Sequence, residues 1–500
     1  MKTHKILQKT NNAVVNLVID TFQKNKQAFI FVNTKRSAEK CAEDISKSLH
    51  KTPACELISQ KILNVLGSPT KQCKRLAECV KNGSAFHHSG LHSKQREIVE
   101  EEFRLGNIKF ISATPTLAAG ISMPTFRTII RDVQRFGRRG LEYIPVLEFH
   151  QMCGRAGRPE FDDYGEAIVI AKSEEEKEPL KEQYLLGEPE NIYSKLAVEP
   201  VLRTYVLSLI SSGVVNNFET LLDFFSKTFW AYQFKELNKL SEILQRMIKL
   251  LISWNFIKET QNKYEATQSG RRIAELYIDP YTANEFVTGI KRADQATIMG
   301  LLHLVCNTLE MRPLLNITAK EFMELQEKTL IYEQEFLSLE PSEFEPEYDS
   351  WLKAFKTATM LKEWCEEIDE DYLLKNYNVR PGETRAKINT ADWLLYALSE
   401  LARIEQKNNL LSQINKVRTR LKYGVKEELL PLLKFKGVGR VKARKLFAHK
   451  IKNVKDIKIA KLDELTKIVG QKLAISVKEQ VGEKIDNNQR RISNTIQQTL

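Results

Sequence analysis

The sequence has no long apolar run. Nowhere in its 500 residues are there the ~18–20 consecutive apolar side chains needed to span a bilayer. Its first residues, Met1 to Lys9, are basic and polar, without the apolar core of a secretory signal. Cysteine is scarce: seven, an odd number, with no C-x-x-C pair. That excludes a disulfide framework or a zinc ribbon and predicts a reducing, cytoplasmic setting. With 42% apolar and 28% charged residues, neither a disordered nor a fibrous chain is indicated. At ~100–200 residues per domain the length predicts three or four domains.

Charge is plentiful and unevenly placed. The formal charge is +12, but residues 401–500 hold 24 lysines and arginines against 9 acids, a net +15, so the other 400 residues sum to −3. A basic C-terminal hundred on a near-neutral body predicts a polyanion-binding end, with nucleic acid the leading partner class. The plain alternative is a lysine-rich chain with solvated helix faces.

The first ~180 residues alternate β-branched apolar runs (Ala28–Val32, Ile108–Ser112, Thr128–Arg131, Ala167–Ala171) with helical patterns (Ser37–His50, Ser93–Leu105), each helix opened by a serine able to cap it. Such alternation predicts an α/β domain with a parallel sheet covered on both faces. Beyond Ser173 the strand signals fade. The charged Ser173–Lys181 reads as a linker or exposed helix start, Asn255–Thr267 as a short polar hairpin compatible with a winged helix, and 281–424 as helices. The acidic stretch Glu333–Asp349, with two prolines, marks a loop among those helices. Val438-Gly439-x-x-x-Ala443 recurs 31 residues later as Val469-Gly470-x-x-x-Ala474, predicting paired helix-hairpin-helix elements.

The most specific segment is Gln151-Met152-Cys153-Gly154-Arg155-Ala156-Gly157-Arg158-Pro159. Two permanently charged guanidinium forks, three residues apart in a turn of small residues, suit phosphate oxygens and charge developing on a transferred phosphoryl group. Upstream, Ala113-Thr114-Pro115-Thr116-Leu117-Ala118-Ala119-Gly120-Ile121-Ser122-Met123-Pro124 follows a strand, where hydroxyls and N–H groups can hold a phosphate. Phe31-Val32-Asn33-Thr34-Lys35-Arg36-Ser37 offers a helix N-terminus and two basic side chains to a polyanion. His87-His88-Ser89-Gly90-Leu91 is a third such junction; packing and turn hydrogen bonds account for its histidines, and Cys73 and Cys79 lack the spacing for a metal site.

These four junctions, in this order, resemble the second RecA-like domain of superfamily 2 helicases. The match is closer to the Ski-like branch and, within it, to the archaeal DNA repair helicases related to the helicase part of DNA polymerase theta. They correspond to motifs IV, the following motif, V and VI. The resemblance extends through Ser194-Lys195-Leu196, Arg203–Ile210 and Ala266–Pro280, similar to that family's winged helix. Thr390-Ala391-Asp392-Trp393-Leu394 is similar to its ratchet helix, and Lys422–Leu429 to the opening of a helix-hairpin-helix module. It implies a RecA-like domain over 1–185, a winged helix over 186–280, a helical ratchet bundle over 281–424 and a helix-hairpin-helix DNA-binding module over 425–500.

The resemblance implies that Arg155 and Arg158 reach the γ-phosphate of ATP, with Gln151 and Gly120 lining the same cleft. Thr34, Arg36, Thr114 and Thr116 would hold the backbone of a tracked DNA strand. Gln134–Tyr143 sits where the family has a strand-separating hairpin, and Phe136 flanked by Arg135, Arg138 and Arg139 suits stacking on a base pair while arginines hold phosphates. Trp393 would stack on a base, with Arg385 or Lys387 near phosphate; core packing is the alternative for Trp393. Arg440, Lys442 and Arg444 beside Gly437-Val438-Gly439 suit phosphate contact, against a protein-docking surface. Ser122 stands where the family usually has Asn, and neither Arg385 nor Lys387 falls at the family's spacing from Trp393.

No G-x-x-x-x-G-K-[ST] loop and no D-E-x-H or D-E-A-D box occurs in the 500 residues. ATP and Mg²⁺ need both, so the first RecA-like domain is expected on a separate chain or a missing segment. Met1 falls ~25 residues before the motif IV strand, which suggests a split or partial gene. The expected function is therefore the C-terminal part of an ATP-dependent 3′→5′ DNA helicase acting on forked or branched DNA in repair. This chain alone is expected not to hydrolyse ATP. The alternatives are a non-catalytic DNA-binding or regulatory protein and an RNA helicase of the same branch.

Overall fold

The computed structural model describes residues 4–66, 68–117, 123–137, 140–158, 162–196, 198–235 and 237–483. They form two compact units: Met1–Ile192 with Leu374–Arg385, and Tyr193–Leu373 with Ala386–Leu500. Among the described residues no helix is long and apolar enough to cross a membrane.

The first unit is built on a parallel five-stranded sheet. Its strands are β1 (Ala28–Phe31), β2 (Ser84–His87), β3 (Phe110–Ala113), β4 (Arg127–Ile130) and β7 (Glu166–Val169), in the order β2-β3-β1-β4-β7. Ala28 pairs with Phe110 on one side and Arg127 on the other, so β1 is central and all four of its residues are buried. Two-sided burial is what a continuous apolar run such as Ala-Phe-Ile-Phe favours. The expected α/β domain is thus present. β2 was hidden in the sequence because Ser-Ala-Phe-His has one large apolar residue. It is nonetheless buried throughout, because Ser84 Oγ is satisfied by the Ala42 carbonyl at 3.1 Å.

Helix α1 (Ala13–Gln23) precedes β1, and α2 (Lys35–Ser46), α3 (Pro53–Leu63), α4 (Lys71–Lys81), α5 (Ser93–Arg104) and α6 (Val146–Cys153) lie between the strands. Ser37 and Ser93 do not cap their helices. Thr34, extended at φ −132° and ψ 154°, turns its hydroxyl toward Ser37 N–H at 3.0 Å, and His92 accepts from Lys94 N–H. The charged segment after Ser173 is helical, α7 (Glu174–Leu180).

Arg127 lies inside β4 with 1% exposure, held by Glu166 (2.7 Å), Asp20 (2.9 Å), Thr21 Oγ1 (2.6 Å) and the Leu17 carbonyl (3.0 Å). It thereby locks α1 to the β4–β7 edge. At the same end of the sheet two chain segments cross almost in contact: Gly157 is left-handed at φ +92°, and a Cβ on Gly165 would lie 2.3 Å from Gly157 N.

Among the described residues the second unit is helical apart from one hairpin. Helices α8 (Glu199–Ser211), α9 (Phe218–Ser226), α10 (Phe229–Phe234) and α11 (Leu237–Ser253) lead into the hairpin β8 (Ile257–Thr260) and β9 (Lys263–Ala266), then α12 (Gln268–Leu276). The wing-like hairpin is where the polar 255–267 segment predicted one. Next come α13 (Pro280–Arg292), α14 (Ile298–Cys306), α15 (Ala319–Ile331), α16 (Glu347–Cys365), α17 (Glu370–Tyr377), α18 (Pro381–Ile404) and α19 (Asn408–Tyr423). The first turn of α18 belongs to the first unit. The acidic 333–349 stretch begins with a 3-10 turn (Glu333–Glu335) and is irregular from there until its end, where Glu347 and Asp349 enter the first turn of α16 and complement that helix's dipole. Four short helices come last among the described residues: α20 (Arg440–Ala448), α21 (Val454–Ile459), α22 (Leu462–Val469) and α23 (Gln471–Gln480). Gly439 and Gly470 sit at the starts of α20 and α23, as the repeated Val-Gly pattern predicts.

All seven cysteines are free thiols, six of them buried. Burial pushes Cys79, Cys306 and Cys365 up to about 12, so they pack as small apolar groups.

Removing one partner of a buried ion cluster costs about 3–5 kcal/mol. Arg127→Ala should therefore speed hydrogen exchange of β1 and β4 amides and lower the first unit's unfolding midpoint by circular dichroism. The five tryptophans, 230, 254, 351, 364 and 393, all lie in the second unit, so their emission transition should stay where it is. A shift of that transition instead would mean the two units unfold together.

Candidate functional site

At the edge of the sheet where the strands begin stand the two arginines. Helix α6 ends at Cys153, and the turn after it is bonded to the residue preceding Phe126 and β4: Thr125 N–H donates to Arg155 O at 2.8 Å, and Gly157 N–H to Thr125 O at 2.6 Å. Arg158 is half-buried. Its Nε and Nη2 donate to the two Asp162 oxygens at 2.7 and 3.2 Å, and its Nη1 to Gln27 Oε1 at 2.9 Å. Gln27 is fixed in turn by donating to the Phe103 and Ile108 carbonyls at 2.7 and 2.9 Å. Lys26 Nζ lies 2.6 Å from Asp162 Oδ1. The Arg158 hydrogen bonds, aided by Lys26, outweigh burial and hold Asp162 at about 2. The Arg158 plane is thus set in advance by a carboxylate, an amide and the backbone of the sheet. Gln151 is exposed on the last turn of α6, next to these arginines; Gly120 lies outside the described residues.

The hydroxyl groups occupy the opposite edge, where the strands end. Thr34 Oγ1 donates to Ser37 Oγ at 2.8 Å while capping α2, and Arg36 is exposed on the first turn of that helix. Thr114, 8% exposed, shares a 3.0 Å hydrogen bond with the exposed Thr116. The resemblance implied a nucleotide cleft for the arginines and a nucleic-acid strand for the threonines; the structure sets the two groups at opposite ends of the strands, because α6 returns its arginines to the starting end.

Beside the hydroxyl edge, β5 (Gln134–Gly137) and β6 (Gly140–Tyr143) form an antiparallel hairpin with Arg135 opposite Glu142. Its root is clamped: Asn33 Nδ2 donates to Gln134 O at 3.0 Å, and the buried Tyr184 hydroxyl to Ile144 O at 2.9 Å. Arg135 Nη1 donates to both Glu148 oxygens, at 2.9 and 2.8 Å. Leu141 and Tyr143 present exposed apolar surface on β6, which the sequence reading passed over. Arg138, Arg139 and the Phe136 side chain lie outside the described residues.

In the second unit, Trp393 is half-buried on α18 with its indole N–H donating to the Leu276 carbonyl at 3.1 Å, so it is tethered rather than sealed in a core. Lys387 Nζ donates to the Pro313 carbonyl at 2.6 Å. Arg385, in the first unit, is exposed. In the C-terminal module Arg440 and Arg444 make contacts within the protein. Arg440 stacks on Trp364 at 4.9 Å and donates to the Ile368 carbonyl, and Arg444 pairs with Glu367 and Glu428 at 2.6 Å each. Their i, i+4 spacing puts them on the face of α20 that packs inward. Lys442 is exposed. The sequence reading missed Lys434 and Lys436, which with Tyr423, Phe435 and the Gly437-Val438-Gly439 backbone line a cavity of about 420 Å³. Among the described residues no group of three His, Cys, Asp or Glu could hold a metal ion.

A parallel RecA-like sheet with an arginine pair at one edge and helix-capping hydroxyls at the other defines the C-terminal motor domain of a helicase. Three family models agree: a helicase conserved C-terminal domain matches residues 9–160, a helix-turn-helix domain 165–258, and domain 4 of the archaeal helicases 299–424. The chain is 35% identical over 491 residues to the ATP-dependent DNA helicase Hel308 of Pyrococcus abyssi, covering 96% of this chain and 67% of that protein. It is similarly 35% identical over 521 residues to Hel308 of Methanococcus vannielii (95% and 68%) and 36% identical over 494 residues to that of Methanocella arvoryzae (95% and 66%). The chain belongs to the Hel308 family of ATP-dependent DNA helicases, and spans about two thirds of the length of the relatives it matches.

Asp162 titrates at about 2 instead of the usual 3.8, so its pair with Arg158 contributes stability above pH ~4 that is lost as pH falls toward 2. The thermal-midpoint gap between the unmodified chain and Asp162→Asn should be full at pH 5–7 and close near pH 2. A gap that widens on acidification would contradict this assignment.

Proposed function

We propose that the chain works as the C-terminal part of a 3′→5′ DNA helicase that unwinds forked or branched DNA, completed by a domain carrying the P-loop and the acidic metal-binding box. The observation that carries this reading is the division of the motifs between two edges of one sheet. Arg155 and Arg158 form a cationic edge suited to nucleotide phosphates, and Thr34, Arg36, Thr114 and Thr116 an edge suited to a strand backbone.

When ATP is bound between the two domains, it supplies a γ-phosphoryl group whose developing charge needs neutralising. Arg158 is suited to that role because its plane is already fixed by Asp162 and Gln27, so little side-chain entropy is left to lose on contact. Mg²⁺ and the attacking water fall to the P-loop domain. On the other edge, hydroxyls that hydrogen-bond each other can exchange those bonds for phosphate oxygens at small cost. The clamped hairpin is a suitable wedge, with Leu141 and Tyr143 on its exposed strand. Trp393 offers a ring for base stacking, and Lys434, Lys436 and Lys442 give the C-terminal module its phosphate contacts.

The test is DNA-stimulated ATP hydrolysis by the purified chain, alone and with the P-loop domain of a relative supplied as a second polypeptide. Hydrolysis is expected only in the mixture, lost by a factor of about 10³ or more in Arg158→Ala. Single-strand binding by the chain alone should survive that change and weaken steeply with salt. Binding without hydrolysis in either case would favour a non-catalytic DNA-binding protein. Hydrolysis by the chain alone would overturn the two-part cleft.

A further inference from the structure

Glu39 sits in the middle of α2, 3% exposed, and is faced by donors from three other segments. Gln72 Nε2 donates to it at 2.8 Å. Arg75, also on α4, bonds both Glu39 and, at 2.6 Å, Glu43. Arg380 Nε donates to Glu39 Oε1 at 3.2 Å, and His88 Nε2 lies 3.3 Å from the same oxygen. Gly90 N–H donates to His88 Nδ1 at 3.1 Å, which leaves the ring proton on Nε2, turned toward Glu39. Burial raises the Glu39 carboxyl, but these donors outweigh it and hold it at about 2.

Arg380 reaches this cluster from outside the strand–helix repeat. It belongs to Leu374–Arg385, an arm that returns to the first unit late in the chain. The arm lies directly on the turn after β2. Gly382 N–H donates to Gly90 O at 3.0 Å, and a Cβ on Gly382 would fall 2.4 Å from the carbonyl oxygens of Ser89 and Leu91. Glu383 pairs with Lys35, the residue after Thr34, and accepts from Arg380 N–H at 2.9 Å. The arm ends at the exposed Arg385, three residues past Gly382 on the first turn of α18, beside the Gly90 turn that leads into α5.

We propose that Glu39 is a positioning residue for the nucleic-acid edge: buried and touching no ligand, it anchors Arg380 and so holds Arg385 at the edge that carries Thr34 and Thr114. This rests on the reading of that edge as a strand-binding surface. Apolar packing would serve stability as well as a buried charge cluster does. What a single carboxylate between two arginines adds is that the arm can seat in only one place.

The test measures binding of a fluorescent single-stranded oligonucleotide by the full chain, by Glu39→Gln, by Arg385→Ala and by the double variant, over a range of salt. Each single change should weaken binding roughly five-fold and lower the slope of log K against log salt by ~0.7, one single-strand phosphate contact. The double variant should bind no more weakly than Arg385→Ala alone. Additive losses would overturn the proposal, since a Glu39 acting only on stability would add its effect to that of Arg385. Gly382→Ala should reproduce the non-additivity without altering charge: within a helix alanine is otherwise the better residue, so any loss comes from displacing the arm. Hydrogen exchange at 380–385 should quicken in Glu39→Gln and Gly382→Ala while β1 and β3 keep their rates, and unchanged exchange there would rule out the anchor. If the unmodified chain binds no single strand, the reading of the edge fails and takes the positioning role with it, while exchange still decides whether Glu39 holds the arm.

Discussion

The strands of the first unit are four residues long and, around β1, buried on both faces. That burial governs where chemistry can occur. A strand with apolar contacts above and below has no room for a charged or hydroxyl group that must meet a ligand, so functional side chains are displaced to the strand ends. Four residues at ~3.3 Å rise set the two ends roughly 13 Å apart. The arginine pair takes one end and the capping threonines the other, so one rigid sheet carries two separate polar edges. Arg127, the one cation inside a central strand, shows the cost of an exception: it needs two carboxylates, a hydroxyl and a carbonyl to be accommodated.

Several arginines that the sequence offers to phosphate are already engaged by carboxylates: Arg158 by Asp162, Arg135 by Glu148, Arg444 by Glu367 and Glu428. Such pairs do different work according to burial. Asp162 is almost fully buried and cannot follow its arginine outward, so it orients a fork that stays in place. Arg135 and Glu148 are more exposed, and a pair of that kind is worth little and exchanges readily for another anion. Arg444 is bound into the junction where the C-terminal module meets the helical bundle. There Trp364 lies over the left-handed Gly424, at a distance where any Cβ would clash, and Arg440 stacks on the same ring. Lys434 and Lys436, by contrast, stand exposed at the module's glycine turn, away from the inward face of α20.

Much of this was legible in the amino-acid order. The alternation of apolar β-branched runs with capped helical patterns determined the parallel sheet, the repeated Val-Gly pairs determined the last described helices, and the Gln151–Pro159 segment marked the arginine pair. These features are local: each depends on residues within a turn or a strand of one another. β2 escaped because its burial comes from neighbours and not from its own composition. The capping residues slipped by a few positions because backbone extension at Thr34, unseen in composition, decides which hydroxyl faces the helix.

What tertiary structure alone decided was which ends of the sheet the motifs reach, and which charges face solvent and which face each other. The carboxylate of Asp162 is four residues from Arg158 and could have been paired with it from the sequence. Glu39 and Arg380, or Trp364 and Arg440, are far apart in the chain. Attraction between such groups depends on distance in space and on the water excluded around them, and neither quantity is written in the order of residues until the chain has closed on itself.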